Sequence, residues 1–98
     1  MKYRFHAAAR IEFLQAVVYY ESHRSGLGEA FEREVYSRIQ DLLAAPHSFP
    51  SVRKTIHRCA TRRFPYAIVY SILPKEVIIL AVAHQSRLPG YWRRRTSN

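Results

Sequence analysis

The rhythm of hydrophobic and polar positions changes along this chain, and each rhythm predicts an element. Tyr3 and Phe5 alternate with Lys2 and Arg4, which predicts a short strand over residues 2–5. A helix follows over residues 7–22. Its apolar positions include Ala8, Ile11, Leu14 and Val18, with Phe13 and Val17 widening the stripe that should face the core. Two glycines, Gly26 and Gly28, then favour a turn. A second helix is predicted over residues 27–44, where Phe31, Val35, Ile39 and Leu42 recur at three- and four-residue steps and Glu32, Arg33, Arg38 and Asp41 fall between them. Two helices with so short a connection form an antiparallel hairpin. Pro46 stops the second helix and Pro50 marks the end of the loop.

The rest of the chain reads as strands. Residues 52–60 alternate imperfectly, with Val52, Lys54, Ile56 and Arg58 on one face and Arg53, Thr55, His57 and Cys59 on the other, as an edge or half-exposed strand would. Residues 66–72 are rich in β-branched and aromatic side chains and predict a central strand. The turn Leu73-Pro74-Lys75-Glu76 precedes a near-continuous apolar run over residues 77–83, a strand buried on both faces. Consecutive strands with short links form an antiparallel meander, one face of which the hairpin must cover. The expected fold is α+β, β-α-α-β-β-β, in a single domain over residues 1–98. The basic tail over residues 93–98 is expected to fray.

Charge narrows the function. Sixteen Lys and Arg face seven Asp and Glu, for a formal charge of +9. Such an excess points to a polyanionic or acidic partner over a merely soluble basic surface. The single cysteine, Cys59, excludes an internal disulfide and a cysteine metal cluster and reads as a small packed residue. His6, His23, His47, His57 and His84 show no ligand spacing, so no metal and no other cofactor is expected. The N-terminus lacks the apolar core of a signal peptide, and no apolar run is long enough to span a membrane. A cytoplasmic protein with no membrane partner and no small-molecule substrate is expected. Two buried strands deliver two arginine-bearing segments, Arg62-Arg63 ahead of the central strand and His84 to Arg93 after the last, the second also carrying Tyr91 and Trp92. Cations beside aromatic rings suit nucleic acid.

The ordered set of short motifs resembles the RelE/ParE superfamily of type II toxin–antitoxin toxins over essentially the whole chain. Tyr19-Tyr20-Glu21 with Gly26-Leu27-Gly28-x-x-Phe31 resembles the family's hairpin. Pro46-x-x-x-Pro50 resembles its loop, Arg62-Arg63-Phe64-Pro65-Tyr66-x-Ile68-x-Tyr70 its central strand, and His84-x-x-Arg87-x-Pro89-x-Tyr91-Trp92 its C-terminal segment. The resemblance implies a growth-inhibiting toxin, neutralised by a cognate antitoxin that a +9 surface requires to be acidic. It implies one of two targets. ParE-like members poison DNA gyrase and need a basic binding surface, with no catalysis. RelE-like members cut messenger RNA on the ribosome.

A metal-free ribonuclease would draw on Arg63 and Arg87 as cations for the phosphorane, His84 as base or acid, and Tyr91 as proton donor or stacking ring. Lys54, Arg58, Arg62, Trp92 and Arg93 are the expected contacts to nucleic acid or target. Competing structural roles are a strand-edge guard or a pairing with antitoxin carboxylates for Arg62 and Arg63, a strand cap for His84, and closure of the core for Trp92. That no Asp or Glu occurs between Ser51 and Lys75 leaves the ribonuclease set partial, and the hairpin, Phe64-Pro65-Tyr66 and Pro89-x-Tyr91-Trp92 motifs sit slightly nearer the ParE-like group. A plain nucleic-acid-binding module would show salt-sensitive duplex binding without toxicity.

Overall fold

The computed structural model describes residues 1–96; Ser97 and Asn98 of the predicted tail lie outside the described residues. The chain forms β1 (Lys2–Phe5), α1 (Ala7–His23), α2 (Leu27–Ala44), β2 (Ser51–Arg53), β3 (Ile56–Ala60), β4 (Tyr66–Ile72), β5 (Glu76–His84) and a closing 3-10 turn (Arg93–Thr96). The strands make one sheet in the order β1-β5-β4-β3-β2. The meander from β2 to β5 is antiparallel, as expected, but β1 joins β5 in parallel, Lys2 opposite Glu76 and Phe5 opposite Ile79. The hairpin between β1 and the rest of the sheet supplies the long crossover that a parallel pair requires.

The glycines of the hairpin have two different tasks. Gly26 sits at φ +88°, a conformation that costs other residues energy. Gly28 is where the helices touch: a Cβ there would lie 2.5 Å from the Val17 carbonyl oxygen. Glu21 closes the turn from α1, its carboxylate accepting the Gly26 N–H at 3.0 Å and the Gly28 N–H at 3.0 Å. At the other end of α1, His6 caps the helix, its Nδ1 accepting from the Ala8 N–H at 3.0 Å.

Helix α2 buries the face its periodicity announced: Phe31, Val35, Ile39 and Leu42 are fully enclosed. Helix α1 does not. Its core side is Ala9, Phe13 and Ala16, whereas Ile11, Leu14 and Val18 are 55%, 48% and 67% exposed. At about 100° per residue, those three lie opposite the buried set. The helix is apolar on two faces, and the core took the one with two alanines, which lets α1 approach the sheet closely. Ala8 of the expected stripe is half-buried, between the two faces.

The predicted strand over 52–60 is two strands. Lys54 adopts φ +51° between them, and the Ser51 hydroxyl donates to its carbonyl, so the chain turns where alternation was already imperfect. Between β4 and β5 the register shifts after Val69, which pairs with Ala81 while Tyr70 pairs with Ile79. The extra residue, Leu80, places Leu80 and Ala81 together on the far face.

Two apolar clusters hold the layers. Between helices and sheet, Phe13, Phe31, Val35, Ile39 and Leu42 meet Cys59, Ile68, Tyr70, Val77, Ile79 and Val82. The loop after α2 is tied to this layer by the Tyr70 hydroxyl, which donates to the Pro46 carbonyl at 2.7 Å, and by His57 Nδ1, which donates to the Phe49 carbonyl at 2.8 Å. On the far face, Ile56, Val69, Ile78, Leu80 and Ala81 gather around Trp92.

Candidate target-binding surface

The site is built by the chain that leaves β5. Pro65 accepts the Gln85 N–H at 2.8 Å, the Arg87 N–H bonds the His84 carbonyl at 3.0 Å, and the Ser86 N–H donates to His84 Nδ1 at 3.0 Å. His84 thus caps its strand through Nδ1, and in its neutral form it carries the ring proton on Nε2. Gly90, at φ +80°, turns the chain back across the far face of the sheet, where Trp92 is 5% exposed. The expected fraying does not occur at Arg93–Thr96, which forms the 3-10 turn because Arg95 is anchored beneath it. Arg95 Nη1 donates to the Leu80 carbonyl at 2.9 Å and to Glu12 Oε1 at 2.9 Å.

Trp92 divides this face into two hollows. One, of about 150 Å³, is floored by Ala67, Val69 and Ala83 and rimmed by Arg58, His84, Arg87 and Tyr91. The other, of about 390 Å³, is lined by Arg53, Lys54, Thr55, Ser71, Arg93 and Thr96. Neither hollow has an Asp or Glu in its lining among the described residues. Seven of the nine residues singled out from sequence are brought together here: Arg58, His84, Arg87, Tyr91 and Trp92 at the first hollow, and Lys54, Trp92 and Arg93 at the second.

Arg62 and Arg63 lie elsewhere, in a separate hollow with Arg33, Glu34 and Arg38 of α2. Glu34 accepts the backbone N–H groups of both Arg62 and Arg63, and Asp41 lies 3.9 Å from the Arg62 guanidinium. Arg63 thus lines the hollow beside α2, whereas His84, Arg87 and Tyr91 line the one beside Trp92.

The tyrosine is also committed. Its hydroxyl donates to Glu12 Oε2 at 2.7 Å, and burial first, then that bond, pushes its pKa up to about 12. A phenol held that way keeps its proton. Trp92, buried against the sheet, is a wall of both hollows, with little ring left to stack on a base. Burial likewise raises the pKa of the Cys59 thiol, which is fully enclosed. What this face can do chemically is hold anions: it presents cations and hydroxyls over an apolar floor.

Sequence reasoning missed Glu12, Arg53 and Arg95. Glu12 had a readable signal, since on α1 it falls three residues after Ala9 and four before Ala16, in phase with the small buried positions. A carboxylate at such a position needs a partner. Arg95 was obscured by its place in an arginine run.

An antiparallel meander with a parallel first strand, covered on one face by a helical hairpin and basic on the other, is an α+β fold. A solved structure titled "Chromosomal ParDE TA system from P. aeruginosa" shares it, with a TM-score of 0.70 at 14% sequence identity over 86% of this chain and 95% of that one. No curated protein matches the chain in sequence. The family model "ParE toxin of type II toxin-antitoxin system, parDE" matches residues 3–89, and the chain belongs to that family. It is a type II toxin of the RelE/ParE superfamily. Among the described residues, no helix is long and apolar enough to cross a membrane.

Proposed function

We propose that this toxin arrests growth by binding DNA gyrase engaged on DNA, and that a cognate acidic antitoxin neutralises it in the cytoplasm. The observation that carries the reading is the acid-free basic face: Arg53, Lys54, Arg58, Arg87 and Arg93 on either side of Trp92. A poison that stabilises a protein–DNA complex needs cations for phosphates and a rigid platform, and this face offers both. A ribonuclease needs its base, acid and cation converging on one phosphate. Here Arg63 lines a different hollow, beside Glu34 of α2, and the Tyr91 proton is engaged by Glu12, which favours binding over cleavage.

The antitoxin reading has its own support on the opposite layer. The ridge Ile11, Leu14 and Val18 runs straight along the outside of α1, and Arg10 beside it has no ion pair within the described residues. An amphipathic segment with acidic flanks would cover both.

Induction of the toxin without antitoxin, with parallel pulse-labelling of DNA and protein, tests the target. DNA synthesis should stop first, with supercoiling lost and breaks accumulating, and Arg53→Glu with Arg93→Glu should relieve the arrest while antitoxin binding persists. Early collapse of translation with cleaved messages would replace this reading with a RelE-like ribonuclease.

A further inference from the structure

Arg87 is supported from behind in a way that its neighbours Arg58 and Arg53 are not. Its guanidinium lies 3.8 Å from the centre of the Tyr91 ring, and the Arg95 guanidinium approaches the same ring at 5.1 Å. The ring is fixed through its hydroxyl to Glu12 Oε2. Glu12 in turn takes both terminal nitrogens of Arg95 at 2.9 Å and the Val82 N–H at 3.1 Å, and its Oε2 stands 4.0 Å from Arg87 Nη1. The carboxylate is 15% exposed, while Arg87 is 52% exposed.

Two consequences follow from this arrangement. The Glu12 charge is balanced inside by Arg95, so the positive charge of Arg87 is left to face outward. A guanidinium held 3.8 Å over a ring has also given up rotamer freedom before any ligand arrives, and its N–H edge suits two oxygens of one anion. His84 and Arg87 together line the first hollow and a further one, of about 340 Å³, to which Glu12 and Tyr19 of α1 also contribute, and His84 Nδ1 is occupied by the Ser86 N–H. Its Nε2–H is the donor left over.

We infer that Glu12 is the positioning residue of an oxyanion receptor whose contacts are the Arg87 guanidinium and the His84 Nε2–H, and whose ligand is a backbone phosphate of the target's nucleic acid. The inference rests on the reading of this face as the target surface. It gives Glu12 a task beside this basic face: held by Arg95, Tyr91 and the Val82 N–H, the carboxylate aims a cation and does not cancel it.

The test is a double-mutant cycle on the full chain, reading affinity for a short mixed-sequence DNA duplex as a function of salt. Arg87→Gln and Glu12→Gln should each weaken binding about tenfold and lower the salt slope by about one. The double variant should bind no more weakly than Arg87→Gln, because Glu12 acts through Arg87. Tyr91→Phe, which removes only the bond to Glu12, should move the same way by less and serves if Glu12→Gln fails to fold.

Losses that multiply, or Glu12→Gln binding like the unaltered protein while Arg87→Gln does not, would overturn the inference. So would variants that lose antitoxin and keep DNA, since the receptor would then take a carboxylate. If the unaltered protein ignores duplex DNA, the target-face reading fails. Inorganic phosphate then decides the receptor. Shifts of the Arg87 Nε–H and His84 ring resonances in the unaltered protein, absent from Glu12→Gln, would keep it, and no shift would end it.

Discussion

Replacing the outer ridge of α1 should separate partner binding from folding. Ile11, Leu14 and Val18 are 55%, 48% and 67% exposed, so roughly half of each side chain is still in water. Full burial of such a side chain is worth about 1.5–3 kcal/mol, and covering the remaining half should be worth about 1 kcal/mol each. Ile11→Gln, Leu14→Gln and Val18→Gln together should therefore cost about 3 kcal/mol of antitoxin affinity, on the order of a hundredfold in Kd. Glutamine is a good helix former, and the three positions contribute little to the core, so the melting temperature of the free toxin should hold. Calorimetric titration of the triple variant with the antitoxin measures the first quantity and a thermal melt the second. An unchanged Kd with an unchanged melt would show that the ridge is not where the antitoxin sits.

Other expectations concern the scaffold and its titrating groups. Gly28→Ala should lose about 1–3 kcal/mol in urea denaturation, because its Cβ would meet the Val17 carbonyl at 2.5 Å and force the helices apart. Phe31→Ala should lose about 3–5 kcal/mol, since the ring is fully enclosed among Phe13, Tyr20, Phe64 and Tyr66. Tyr70 and Tyr91 should titrate near pH 12 by ultraviolet absorbance. Both folded values lie above the unfolded one, so their contribution to stability is whole below pH 10 and is lost as pH rises through about 12. Cys59, buried and with its thiol pKa raised, should react with a thiol reagent only at the rate at which the protein opens.

Much of this architecture was legible because single elements obey single rules. Helix α2 has one apolar face, so its periodicity named the core residues directly. Helix α1 has two, and periodicity cannot say which of them the sheet receives. That choice was made by the bulk of Phe13 beside Ala9 and Ala16, a matter of fit that only the packed structure reveals. The arginines and aromatics of the last segment were readable as a group, yet their grouping with Arg58 and Lys54 depends on Gly90 reversing the chain over the sheet. Arg63, adjacent in sequence to a strand of this sheet, was carried to the other side by the Glu34 contacts of its backbone. Glu12 escaped notice because its partners are some seventy to eighty residues away in the chain.

The parallel pairing of β1 with β5 has a consequence for how the toxin comes into being. The first strand made is hydrogen-bonded to the last and to no other, with Lys2 beside Glu76. While the chain is being synthesised, Lys2–Phe5 has nowhere to go. The hairpin can assemble early from local contacts, but it waits over an unfinished sheet until Glu76–His84 has emerged. The His84 and Arg87 of the basic face arrive only with and after that same strand. A nascent chain therefore exposes α1 before its basic face is complete, and a partner that recognises α1 would have the earlier opportunity.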